Sequence, residues 1–291
     1  MSSEATPRVS ALILPERWEL PGRPDGAPAA VQDAYRQTQF LLGGDLRLLR
    51  EGMNLQLQIV RASSPSRYRT HALAAALMPW SRAFLAVSDA TTLTLHGSYA
   101  SCPPLVRLAC ECVAAAAQLS AEELPTFEAW LAEAFHPDET HKAVTIGMGQ
   151  FFAGSTLAAD PRLSAVYRAA SELARPHLGA SLVLTAVDSN AQRLALTFAD
   201  QSFHLGWAQL VLGWLLGVCD AQLRLVTSAG TVFHITEETA TAVAAWTDRV
   251  GATLDDPVRC RMEPVDDAGE PRWLLVNVRR QPGAAPRKLL L

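Results

Sequence analysis

The sequence predicts a mainly α fold, a helical bundle with two small β-hairpins, and three observations carry that prediction. Of 291 residues, 49% are apolar and 19% charged, which suits a sizeable core and argues against global disorder. Apolar residues recur at helical spacing over long stretches, and helix-start residues stand at their borders. Twice the period changes, and paired apolar runs flank a short polar turn.

Residues 1–26 contain Pro7, Pro15, Pro21, Gly22, Pro24 and Gly26 and read as an irregular arm, docked by Leu12, Ile13, Leu14 and Trp18. A single α-rich domain is expected over 27–278, and a basic tail over 279–291. Helices are expected at about 28–42 and 45–62, parted by Gly43-Gly44. Ser63-Ser64-Pro65 opens a long helix over about 66–96, with Pro79 as a kink point and His96-Gly97 as its end. Pro103 and Pro104 suit the first turn of a helix over about 103–119. Ser120 with Glu123 makes a capping box for the next, about 121–136. Helices at about 139–153 and 161–178 follow, the second opened by Asp160 and Pro161. SLVLTAV and RLALTFA around DSNAQ form the first hairpin. A long apolar helix covers about 200–226, TVFHI is a short strand, and Thr236 opens a helix to about 254. VRCRMEPV and RWLLVNV around DDAGEP form the second hairpin.

The net charge of −4 gives no general pull on nucleic acid, so contact with it would need a local basic patch. Cys102, Cys110, Cys112, Cys219 and Cys260 are an odd number in apolar settings, which predicts reduced thiols in a cytoplasmic protein. The N-terminus lacks the basic start and apolar run of a secretory leader. Phe203 to Cys219 is the most apolar window, but His204 and Gln209 interrupt it, and a membrane span needs roughly 20 mostly apolar residues. A central core helix is expected there, with no membrane partner.

The most informative polar residues lie inside apolar helical faces. Arg82 and Asp89 are seven apart in the helix of about 66–96 and share a face. Arg107 and Glu111 are four apart in the next helix and can pair. Across an antiparallel helix pair the four could form one buried network, since buried charges must be paired. Such a network is either structural or the lining of a polar pocket.

With the long helix, the turn HGSYASCPPL, the RLACE segment that places Arg107 and Glu111, and VYRAASELARPH with Tyr167, Ser171 and His177, residues of about 70 to 225 resemble the HEPN-like helical family of bacterial proteins. That group includes AbiV-type abortive-infection proteins. The resemblance implies a HEPN-like bundle, a Tyr-Ser-His helix, and a bacterial protein linked to stress or phage defence. Active HEPN ribonucleases place four to six residues between an Arg and a His, so that both act on a phosphodiester. Here Arg67 and His71 have three residues between them, Arg168 and His177 eight, and Arg175 and His177 one. A non-enzymatic or regulatory protein is therefore expected, with no cofactor. The alternative is a ribonuclease-like hydrolase built on Arg82, Asp89, Arg107, Glu111 and His177.

A third alternative is a metal-binding bundle. Glu133 with His136, and Asp138 with His141, have carboxylate-histidine spacing, but they straddle Pro137 on one segment and cannot face each other across a bundle. No metal is expected on them. His204 reads as a core histidine. A homodimer is expected, and Gly213 and Gly217 make a flat helix face for close packing, either within the chain or as a dimer contact. Arg279, Arg280, Arg287 and Lys288 make the tail basic, either solvated or in contact with phosphate or a partner.

Overall fold

A computed structural model describes residues 8–121, 124–134 and 154–291. The chain enters through an arm pinned by Trp18, whose backbone N–H donates to Asn54 Oδ1 and whose indole N–H donates to Ser88 Oγ, both at 3.0 Å. Leu12 and Leu14 pack on the core, while Ile13 is fully exposed.

Helices α1 (Ala29–Leu41) and α2 (Gly43–Ala62) are nearly continuous, because Leu42 N–H bonds back to Thr38 O while Leu42 O accepts the Leu46 N–H. Helix α3 (His71–Leu95) begins at Thr70, whose hydroxyl accepts the Leu73 N–H, so residues 66–70 stand outside the helix expected to hold them. It runs on through Pro79, and its packing along α4 (Cys102–Ala121) supports the turn that lost a donor. Pro103 and Pro104 occupy the first turn of α4 as expected. Ser120 lies within α4 and donates back to Ala116 O, while Glu123, the other half of the expected capping box, lies outside the described residues.

After α5 (Leu124–Ala134) and α6 (Gly154–Ala159), the carboxylate of Asp160 caps α7 (Pro161–Ala174) by accepting the Leu163 N–H at 2.9 Å. Pro176 holds Arg175 extended and stops α7 earlier than expected. The helix expected over 139–153 lies outside the described residues. Then come α8 (Leu178–Thr185), α9 (Leu205–Ser228) and α10 (Glu237–Leu254), the last capped by Thr236.

Strands β1 (Arg261–Asp267), β2 (Glu270–Val278) and β3 (Arg287–Leu290) form one antiparallel sheet in the order β1-β2-β3. The β1–β2 hairpin is the second one expected. Ala268 and Gly269 have φ of 56° and 89°, the pair of left-handed residues that a two-residue turn of matching twist requires.

The first expected hairpin is absent. SLVLTAV continues α8, and RLALTFA runs beside it without joining the sheet. A short apolar run does not distinguish strand from helix, and here the His177 cap and internal helix bonds decide for α8. TVFHI is likewise irregular; its Phe233 packs edge-on against Trp80. The tail is built into the domain, because β3 pairs with β2 and Leu291 with Trp273.

Helix α9 is the axis of the core and touches α2, α3, α4, α7 and α10. Tyr99–Ser120 and Leu205–Ser228 have the length and apolarity of a membrane span, but 78% of the second window is buried inside the protein, as a core helix requires. The flat face of α9 is used within the chain. Gly213 lies against Arg259, and Gly217 against Val166 of α7.

Candidate functional site

The five polar residues singled out in the sequence do not converge. Arg107 Nε donates to Glu111 Oε1 at 3.2 Å, one turn along α4. Their side chains are 42% and 44% exposed, so the expected burial against α3 does not occur. The cause is the orientation of α4: Val106, Ala109, Cys110 and Val113 turn inward, which leaves 107 and 111 on the flank beside α7. There Arg107 lies 5.8 Å from the centroid of the Tyr167 ring. Arg82 and Asp89 are exposed on α3, and among the described residues neither forms an ion pair.

His177 is a helix cap. Its Nδ1 accepts the Ala180 N–H at 3.2 Å, and its Nε2 lies 2.9 Å from Glu172 Oε1. Both ring nitrogens are thus engaged away from Arg82 and Arg107. Tyr167 and Ser171 belong to α7, but His177 lies beyond its end. Glu133 falls in α5, and His136 and His141 lie outside the described residues. Among the described residues no group of three or more His, Cys, Asp or Glu side chains is arranged to hold a metal ion.

All five cysteines are free and buried. Burial pushes the thiols of Cys102, Cys219 and Cys260 up to about 12, which keeps them neutral and unreactive.

Two charged clusters tie the bundle together. Asp220 is fully buried on α9, and its Oδ2 lies 2.8 Å from Arg162 Nη1 and 3.0 Å from Arg224 Nε. Arg224 Nη1 also reaches Asp160 Oδ2 at 2.8 Å, so the α7 cap and the α9 charges form one network. Elsewhere Arg259 Nη2 lies 2.6 Å from Asp45 Oδ2 and donates to Gln209 O at 2.7 Å.

The fold assembles a different polar pocket at the start of α9. Backbone N–H groups of Leu205 and Gly206 donate to the carbonyls of Arg280 and Arg279 at 3.0 and 2.9 Å, which answers two donors that a helix start leaves open. The side chain of Arg280 turns back into the same region. Its Nε donates to Asp188 Oδ2 at 2.8 Å, its Nη1 donates to Ser202 Oγ at 2.9 Å, and its Nη2 lies 3.5 Å from Asp200 Oδ2.

His204 caps α9, with Nδ1 accepting the Trp207 N–H at 3.2 Å. Its other ring nitrogen, Nε2, is buried and, among the described residues, has no hydrogen-bond partner. Burial, and next the charge of Arg280, pull the imidazole down to about 4, so it is neutral at pH 7 with its proton assigned to Nε2. Gly97, with φ of 73°, lets the chain pass: a Cβ there would stand 2.2 Å from Gln201 O.

These groups enclose a cavity of about 40 Å³. Since a water needs roughly 10–15 Å³, the cavity has room for a few waters and none for a nucleotide. One arginine against two aspartates leaves the rim net negative, which repels phosphate. Tyr99, whose hydroxyl accepts the His204 backbone N–H at 3.4 Å, also lines the cavity, and no local pattern joins Tyr99, Asp188, Asp200, His204 and Arg280, because they come from separate segments. The only signal in the sequence is a histidine directly before an apolar helix. No family model, no curated protein and no solved structure matches this chain.

Proposed function

We propose that this protein is a non-enzymatic or regulatory HEPN-like helical protein of the bacterial cytoplasm that serves in stress or phage defence. The kinship rests on the resemblance of residues of about 70 to 225. The absence of catalysis rests on one observation: Arg107 pairs with Glu111 and His177 with Glu172, and among the described residues no ion pair joins either pair to Arg82 or Asp89. General acid–base catalysis needs its groups within hydrogen-bond reach of one reacting proton, and dispersed side chains lose that benefit, roughly 10²–10⁴-fold in rate.

One observation favours the ribonuclease-like alternative. His204 and Arg280 are a histidine and an arginine that face the same cavity. The size and negative rim of that cavity weigh against it. Incubating purified protein with labelled single-stranded RNA and transfer RNA tests both readings. Intact RNA is expected. Robust cleavage that disappears in His204→Asn, which keeps a capping acceptor, would establish the hydrolase, and cleavage that disappears in His177→Ala would place it at α8.

A further inference from the structure

Gln222, near the end of α9, is 2% exposed. Its Oε1 is buried without a hydrogen-bond partner, and among the described residues its Nε2 forms no hydrogen bond either. Buried amides are almost always paired, because an unanswered one loses its bonds to water. The neighbouring amide does not help. Gln56 Oε1 accepts the Trp80 indole N–H at 2.6 Å, and Gln56 Nε2 faces Met53 Sδ at 3.8 Å. The gap enclosed by Gln222, Gln56 and Cys219 has no room for a water. Gln222 therefore cannot be answered from the core.

Its other side is open. Gln222 lines a groove of about 560 Å³ between α4 and α9, bounded by α6 and the chain at 229–233. Small-molecule sites run from roughly 300 to 1,000 Å³. Every described residue that lines the groove is uncharged. A carboxylate, phosphate or ammonium would lose its water there and meet no countercharge. The apolar lining is small on α4, with Ala116 and Ala117, and larger on α9, with Leu225 and Val226. Phe233 adds an aromatic ring.

We propose that this groove binds a neutral, flat ring molecule whose edge carries a donor beside an acceptor, as a lactam or a primary amide does, and that Gln222 reads that edge. A carboxamide presents the same pair, a carbonyl oxygen beside an N–H, so the two edges join through two hydrogen bonds. A half-turn of the last torsion of Gln222 exchanges its oxygen and nitrogen, which lets it meet either orientation. The apolar rings then pack among the alanines of α4, Leu225 and Phe233. The groove shares no residue with the cavity at His204, so the site stands or falls independently of the function proposed above.

Calorimetric titration of the full chain with isoindolinone, a neutral bicyclic lactam, tests the proposal. Saturable one-to-one binding is expected. N-methylisoindolinone lacks the donor and should bind at least about tenfold more weakly, as a site built around a hydrogen bond rejects the analogue without it. Gln222→Met keeps the length of the side chain and removes the amide, so it should weaken isoindolinone by as much. The same variant separates a ligand-reading amide from a structural one. With no bond inside the chain to lose, its denaturant midpoint without ligand should not fall below that of the parent. A groove filled by water only, with no saturable binding of isoindolinone, would overturn the proposal. So would equal binding of the methylated probe, undiminished binding by Gln222→Met, or a lowered midpoint in that variant.

Discussion

Gly52 on α2 faces Trp246 on α10 so closely that a Cβ at residue 52 would stand 2.3 Å from Trp246 Cζ2. The indole cannot retreat, because it is fully buried and its N–H donates to Leu48 O at 2.8 Å. In an open helix Gly→Ala gains about 1 kcal/mol. Here overpacking, about 1–3 kcal/mol or more, opposes that gain. Gly52→Ala should lower the denaturant midpoint, and Trp246→Leu in the same chain should recover part of the loss as a measurable coupling.

Two acidic residues on neighbouring helices should behave oppositely. Glu111 pairs in solvent, so Glu111→Ala should cost no more than about 0.5 kcal/mol. Asp220 is fully buried between Arg162 and Arg224; Asp220→Ala takes away the Arg162 partner and one of the two carboxylates on Arg224, which keeps Asp160, and since both arginines are partly solvated the cost should be about 1–3 kcal/mol. Urea unfolding of both variants checks the contrast; equal effects would refute it.

His204 should make the fold sensitive to mild acid. Its pKa falls from 6.5 in the unfolded chain to about 4 in the fold, so the unfolded state binds the extra proton. The stabilisation is complete above pH 6.5 and is lost as pH falls toward 4, about 3 kcal/mol in all. In His204→Asn the capping acceptor remains and the titration disappears. Stability measured between pH 7 and pH 4 should fall less steeply in that variant than in the parent.

Arg280→Met should raise the His204 pKa, since the arginine lowers it while Asp188 and Asp200 raise it. It should also destabilise the protein by about 2 kcal/mol, through the loss of charge-assisted bonds on a partly exposed group. Titration of the His204 ring protons by NMR measures the first effect. A pKa that stays near 4 would contradict the stated electrostatics.

Local chemistry accounts for what could be read in advance. Asp160 and Thr236 cap their helices, Pro103 and Pro104 open α4, and DDAGEP turns the β1–β2 hairpin, because each depends on neighbours within a few residues. The helical class and the core role of α9 follow in the same way from the spacing of apolar residues. The Arg107–Glu111 pair was also legible, because a spacing of four on a helix guarantees proximity.

Burial of that pair was not legible, since it depends on how α4 is rotated against α3 and α7. Nor was the conformation of Ser181–Val187, where an apolar run fits strand or helix until the His177 cap and the internal bonds of α8 decide. The pocket at the start of α9 lay furthest from view. His204 was visible only as a core histidine, and Arg280 only as part of a basic tail. What brings them together with Asp188 and Asp200 is the path of the chain from β2 across the first turn of α9. Most of the helices, the caps at Asp160 and Thr236 and the β1–β2 hairpin are settled by contacts a few residues long and are written in the sequence. Which charges are buried and what packs on the glycine face of α9 are settled only in the folded chain, because they depend on groups far apart in the sequence.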